Sequence, residues 1–181
     1  VLTNPVNQGY GGNQKLGYHY AIEQGFDYVA LLHGDAQYAP EMLPDLFAPL
    51  RHGSADVVLG SRRLTPGGAR KGGMPFYKLV GNKILTAYQN LVLRSSLAQF
   101  HTGYKAYTTA SLRRIPFELN SNVFHFDTEI IIQFLRASAR ITEIPIPTHY
   151  GDEICRVNGL RYAFDVINAS PVARLQDYGL V

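Results

Sequence analysis

Apolar positions along this 181-residue chain gather into short continuous runs separated by longer stretches of helical period. Tyr28-Val-Ala-Leu-Leu32 has strand length and stops at His33-Gly34-Asp35-Ala36-Gln37, after which Pro40 opens a helix reaching Leu50 and closed by His52-Gly53. Asp56-Val-Val-Leu-Gly60 is a second buried strand, and it runs straight into Ser61-Arg62-Arg63. Helical segments between strands of this length imply parallel crossovers, so the chain reads as an α/β protein with a mostly parallel sheet flanked by helices. Ahead of the first strand, Asn13 to Gln24 has helical character ended by Gly25, and Gln8-Gly-Tyr-Gly-Gly12 reads as the turn that opens it. Glycines at 9, 11 and 12 let backbone approach a ligand closely or take an unusual φ, but their spacing is not the dinucleotide fingerprint.

The second half is less regular. Leu64 to Pro75 is glycine-rich around Arg70-Lys71 and has no hydrophobic pattern, which predicts a mobile surface loop. Phe76 to Arg94 is the longest helical stretch. Its stripe of Phe76, Val80, Ile84, Ala87 and Leu91 is widened by Leu79, Leu85, Tyr88 and Val92 beyond what one core contact needs. Core packing is the expected use for most of it, with a partner helix or a membrane surface for the rest. His101-Thr102-Gly103 reads as a tight polar turn, and Thr109 as the cap of a short helix through Arg114. A helix follows from Phe124-His-Phe-Asp-Thr-Glu-Ile130 to about Ser138, with Asp127 or Thr128 at its start. Arg140 to Ile146 alternates as a strand that Pro145 and Pro147 place at an edge. Leu160 to Asn168 is helical, and the remainder to Val181 is weakly patterned.

Composition narrows the class. With 46% hydrophobic and 17% charged residues, the chain is long enough for one domain with a real core. A net charge of +3 suits an anionic ligand or membrane surface and is far from a nucleic-acid signature. The single Cys155 excludes an internal disulfide and fits a reducing compartment. No zinc-type Cys/His spacing and no run of 18 apolar residues occurs.

The chemistry concentrates at the two strand ends. In an open α/β sheet, groups leaving the carboxyl ends of strands face the ligand crevice. His33, Asp35 and Gln37 alternate along a still extended segment, so all three can surround one ion; a plain turn after a buried strand accounts for the acid equally well. A carboxylate and an amide oxygen favour Mg²⁺ or Mn²⁺, and the imidazole tilts the choice toward Mn²⁺. Such an ion neutralises a diphosphate as it becomes a leaving group. Arg62, Arg63, Arg70 and Lys71 supply a basic cluster for a second phosphate.

His33-to-Glu41, Asp56-to-Arg62, His101-to-Tyr107 and Thr142-to-Tyr150, in that order, resemble the inverting family 2 glycosyltransferases of the dolichol-phosphate mannosyltransferase type and their bacterial polyprenyl-phosphate relatives. The resemblance runs from Asn4 to about Tyr162. It implies a GT-A fold, a nucleoside-diphosphate sugar donor (UDP- or GDP-), Mg²⁺ or Mn²⁺, and a lipid phosphate acceptor met at the cytoplasmic face of a membrane. It also divides the chain into a donor and metal part (1–63), an acceptor part (64–162) and a C-terminal tail (163–181). Metal ligands carried over are Asp35 and Gln37, with His33 standing where the family has its first aspartate. Gly11, Gly12, Asp35 and Thr102 are expected on the donor, and Arg62, Arg63, Arg70, Lys71 and His149 on acceptor phosphate. Asp127 and Glu129 match the acidic motif at a helix start and are the expected catalytic acids alongside Asp35. Gln99 stands where the family often has an acid. The family's front strands, ending in Pro-x-Tyr-Asn-Glu and Asp-Asp-x-Ser, have no match here, since Val1 corresponds to a point just after them. Transfer to a sugar or protein hydroxyl, nucleotidyl transfer, and an inactive sugar-nucleotide-binding homologue are the competing expectations.

Overall fold

The computed structural model describes residues 3–65, 67–149 and 159–177. Helix α1 (Gly9–Glu23) precedes strand β1 (Tyr28–Leu32), and a short 3₁₀ turn at Pro40–Met42 leads into α2 (Leu43–Arg51) and β2 (Val57–Ser61). Next come the one-turn α3 (Gly68–Lys71), the long α4 (Phe76–Leu93), β3 (Tyr104–Thr108) and α5 (Thr109–Leu112). The last elements are α6 (Phe126–Arg136), β4 (Ile141–Pro145) and α7 (Gly159–Asp177).

One sheet has the order β1-β3-β2-β4. Strand β2 pairs parallel with β4, while β3 pairs antiparallel with both β1 and β2. Thus β1, β2 and β4 run one way, as the α/β pattern predicts, but β3 runs against them between β1 and β2, so the sheet is mixed, with two of its three pairings antiparallel, rather than mostly parallel. Sequence reasoning missed β3 for a physical reason. It is buried on both faces, so no alternation marks it, and a lysine sits at its centre. Tyr104 and Ala106 face a core with Leu46 and Leu50 of α2, Val58 and Ile146. Tyr107 faces the other core, with Tyr18 of α1 and Phe126, Ile130 and Phe134 of α6. The register Leu32↔Tyr104 sets the 101–103 turn beside the end of β1, and Ser61↔Pro145 does the same for the ends of β2 and β4. Strand β4 lies at the sheet edge, as its prolines predict.

Several elements depart from expectation. Helix α1 begins at Gly9 rather than Asn13, because its first turn docks on the segment before α6: Gly11 N–H donates to Asn122 O, and a Cβ at Gly11 would fall 2.4 Å from Ser121 O. The cap of α5 is Thr108, whose side chain accepts from Ser111 N–H, not Thr109. The 64–75 segment is not a patternless loop. It contains α3, buries Met74, and brings Gly72 so close to Thr148 that a Cβ there would lie 2.1 Å from Thr148 O. Helix α7 extends through Pro171, well beyond Asn168. Pro171 has no N–H for the carbonyl of Ile167, and the hydroxyl of Tyr88 on α4 donates to that oxygen instead. Finally, α4 buries Thr86 and Gln89 rather than its apolar stripe: Phe76, Tyr77, Ile84 and Leu91 are 62–79% exposed.

Candidate active site at the carboxyl edge of the sheet

The ends of β1 and β4 frame an open crevice of about 570 Å³, lined by His33, Ala36, Gln37 and Glu41 on one side and by Thr148 and His149 on the other. The turn after β1 is built locally. Asp35 Oδ1 accepts the Gln37 backbone N–H at 3.1 Å and Ala36 takes φ 60°, a left-handed conformation uncommon outside glycine, so the segment turns here rather than staying extended as expected. Gln37 O in turn accepts the His149 amide at 2.9 Å, which ties this turn to the segment after β4. His33 Nδ1 lies 3.8 Å from Asp35 Oδ2. The His33 ring rests on Gly103, where a Cβ would stand 2.3 Å from it, and meets Tyr38 edge-on. Burial lowers the proton affinity of His33, so its neutral form is favoured.

Behind His33 lies a buried polar relay. Tyr10 of α1 sits 2.7 Å from His33 Nε2 and donates to Asp127 Oδ2 at 2.7 Å. Asp127 Oδ1 meets Lys105 Nζ at 2.7 Å and accepts from Gln14 Nε2 at 3.2 Å, and Gln14 Oε1 accepts from Tyr18. Lys105 is 0% exposed and Asp127 8%. Burial pulls the Lys105 pKa down, and the Asp127 carboxylate opposes that pull. Sequence reasoning missed Tyr10, Gln14 and Lys105. The available signal was Lys105 itself, one cation between Tyr104 and Ala106 in an otherwise apolar strand.

A second, smaller cavity of about 190 Å³ opens at the end of β2, lined by Arg62, Arg63, Arg70, Lys83 and Leu79. Three of the four arginine and lysine positions expected on phosphate border or approach it, and Lys83 of α4 is an addition. Arg62 is buried and donates to His101 O at 3.0 Å; Arg63, Arg70 and Lys83 are exposed. Lys71 occupies the last position of α3. His149 lines the first crevice, not the basic pocket.

Other expected site residues have partners that define what they do. Thr102 is buried, donates to Gly60 O at 2.7 Å and closes the β2–β3 corner. Gly11 approaches Ser121 and Phe126, and Gly12 sits in the first turn of α1. Glu129 points away from Asp127, as residues two apart on a helix do, and accepts from the amide and hydroxyl of Ser121 at 2.8 Å each. Gln99 is buried; its backbone N–H donates to Glu143 Oε1 and its side-chain NH₂ to His101 O. His101 bonds Tyr162 of α7 at 2.6 Å through Nδ1, and burial beside Lys105 and Arg62 pushes its pKa down to about 3.

The sheet, its flanking helices and a crevice at the strand ends define an α/β nucleotide-sugar transferase fold. The fold is similar to that of Mycobacterium tuberculosis glucosyl-3-phosphoglycerate synthase, at TM-score 0.62 and 18% identity, covering 98% of this chain and 58% of that one. A complex of the same enzyme with Mn²⁺, UDP-glucose and glycerol 3-phosphate matches at TM-score 0.59 and 17% identity, with the same coverage. Residues 1–116 match Glycosyl transferase family 2, and the chain belongs to that family. It is 31% identical over 147 residues to an undecaprenyl-phosphate mannosyltransferase of Micrococcus luteus, covering 81% of this chain and 59% of the relative. It is 28% identical over 150 residues to a UDP-N-acetylglucosamine–dolichyl-phosphate N-acetylglucosaminyltransferase of Methanococcus voltae, covering 83% and 59%. The chain thus spans less than two thirds of the length of these relatives.

Proposed function

We propose that the protein transfers a sugar, with inversion, from a UDP- or GDP-sugar to a polyprenyl or dolichyl phosphate. The observation that carries this reading is the pair of complementary sites at the strand ends: a crevice lined by His33 and Gln37, on the turn that also holds Asp35, and a basic pocket lined by Arg62, Arg63, Arg70 and Lys83. Gly72, two residues past Arg70 of the basic pocket, packs against Thr148 of the crevice wall. The relatives named for undecaprenyl-phosphate and dolichyl-phosphate support a lipid phosphate acceptor, and the UDP-glucose complex of the structural neighbour supports a nucleoside-diphosphate donor. In this reading residues 1–63 serve the donor, 64–162 the acceptor, and 163–181 form the tail.

Asp35 and His33 offer a carboxylate and a neutral imidazole on an open turn, with Gln37 two residues on, and this donor set suits Mn²⁺ or Mg²⁺. The Mn²⁺ of the neighbouring complex supports a divalent ion here. When bound, such an ion neutralises the diphosphate leaving group. The acceptor phosphate oxygen forms the new bond to the anomeric carbon, and the bond from that carbon to the diphosphate breaks with its electron pair. An ionised phosphate needs no general base. That agrees with Gln99 in the family's acidic position and with Asp127 and Glu129 already engaged by Lys105 and Ser121. Arg62 and its neighbours hold the phosphate as a bidentate and multidentate anion site.

Lys83 and Leu79 reach the basic pocket from α4, whose exposed Phe76, Tyr77, Ile84 and Leu91 offer an apolar surface to the acceptor's membrane at its cytoplasmic face. Among the described residues no helix is long and apolar enough to cross a membrane. The test is a transfer assay on the complete gene product with UDP- and GDP-sugars, Mn²⁺ or Mg²⁺, and polyprenyl phosphate in detergent. Metal-dependent transfer, abolished by Asp35→Asn, is expected. Nucleotide binding without turnover would instead identify an inactive sugar-nucleotide-binding protein, and no binding would refute the site.

A further inference from the structure

We propose that Tyr10, anchored by the Asp127–Lys105 ion pair, is a positioning residue that holds His33 as its Nε2–H tautomer and leaves Nδ1 as a bare lone pair on the Asp35 side, ready for a divalent cation. This rests on the cation reading above and assigns the ligating atom and the residues that prepare it.

The Tyr10 hydroxyl has one proton and two short contacts, 2.7 Å to His33 Nε2 and 2.7 Å to Asp127 Oδ2. Paired with the Lys105 ammonium at 2.7 Å, Asp127 is a carboxylate, and a carboxylate can only accept. Gln14 confirms the polarity of this end: its Oε1 accepts from Tyr18, which turns its NH₂ toward Asp127 Oδ1. The Tyr10 proton therefore lies on the Asp127 side. The remaining contact holds a hydrogen bond only if His33 Nε2 is the donor and the Tyr10 oxygen the acceptor. A neutral imidazole protonated at Nε2 carries no proton at Nδ1.

The polar neighbour of Nδ1 is Asp35 Oδ2 at 3.8 Å. Two lone-pair atoms facing each other with no proton between them repel, and a cation converts that repulsion into ligation. The ring is held for this by its seat on Gly103 and its edge-on contacts with Tyr10 and Tyr38. A carboxylate acting through an intermediate donor to fix a ligating imidazole is the usual logic of an outer coordination shell. In this chain the Tyr10 hydroxyl is inserted between the two.

The experiment uses the full chain labelled with ¹⁵N-histidine. Long-range ¹H–¹⁵N correlation reads the His33 tautomer without metal, and electron paramagnetic resonance of free Mn²⁺ gives affinity with and without UDP. The wild type should show Nε2–H. Tyr10→Phe should lose that fixed tautomer and weaken Mn²⁺ by about 10- to 100-fold. Asp35→Asn should weaken Mn²⁺ while keeping the tautomer. An Nδ1–H tautomer in the wild type, a measurement that needs no variant, would overturn the proposal. So would an unchanged tautomer and affinity in Tyr10→Phe. An Nε2–H tautomer with no Mn²⁺ binding would overturn the cation reading of the crevice and leave the Tyr10 assignment standing.

Discussion

Asp127→Asn is the most informative substitution, because two readings of that acid predict opposite things. If Asp127 acted as a general base, the substitution would remove rate and leave stability alone. In the structure, however, it balances a lysine with 0% exposure at 2.7 Å and accepts two further hydrogen bonds. Removing one partner of a buried pair leaves an uncompensated charge and costs about 3–5 kcal/mol. For a domain of this size that lowers Tm by about 6–20 °C. Lys105→Met should be less damaging, since Tyr10 and Gln14 still serve the carboxylate. The double variant Lys105→Met/Asp127→Asn should recover at least about 2 kcal/mol relative to the sum of the singles. Urea unfolding with unchanged m-values measures each corner of the cycle. There is also a pH signature. Without Asp127 the folded-state pKa of Lys105 falls further below its unfolded value, so the unfolded chain binds more protons and the variant regains stability as pH rises. A loss under about 1 kcal/mol in Asp127→Asn, or strict additivity of the two substitutions, would refute the buried ion pair.

Three further outcomes follow from other parts of the site. Gly103→Ala places a Cβ 2.3 Å from the His33 ring, so Mn²⁺-dependent nucleotide binding should fall at least about tenfold while circular dichroism is retained; unchanged binding would show that the ring's seat is immaterial. His101 has a folded pKa of about 3, below the ordinary histidine value. Its contribution to stability is complete above the unfolded value and is lost as pH falls toward 3, at about 1.4 kcal/mol per pH unit, so His101→Gln should flatten the acid limb of a urea-midpoint profile by that slope. Ile84→Glu with Leu91→Glu, both exposed on α4, should abolish co-flotation of the complete protein with anionic liposomes and leave its melting temperature within about 1–2 °C; undiminished flotation would remove α4 from the membrane contact.

Much of the frame was legible in the residues. The β1 run ends at Leu32 and β2 at Ser61 because an apolar stretch meets polar and glycine residues there, and that contrast is local. The same locality marked His33, Asp35 and Gln37, the Arg62-Arg63 pair, the helix after Pro40, and the edge position of β4. The family resemblance added order to these motifs, and the match over residues 1–116 agrees with it. Strand β3 escaped because burial on both faces erases the alternation by which a strand announces itself. The α4 stripe misled because periodicity reports that a face is apolar and not what covers it.

What the sequence determined by itself, then, is where chemistry leaves the sheet: an acid, an imidazole and an amide at one strand end, two arginines at the next. Tertiary structure alone decided what those groups can do. Tyr10 and Asp127 are 117 positions apart, Arg62 and His101 are 39, and Lys83 reaches the basic pocket only because α4 folds back past the end of β2. It made Asp127 the counter-ion of Lys105, turned Glu129 to Ser121, and committed the hydroxyl of Thr102 to Gly60. The physical reason is that a side chain's type is set by its own codon, whereas its proton, its charge and its exposure are set by whichever distant groups the packed sheet and helices bring within three ångströms of it.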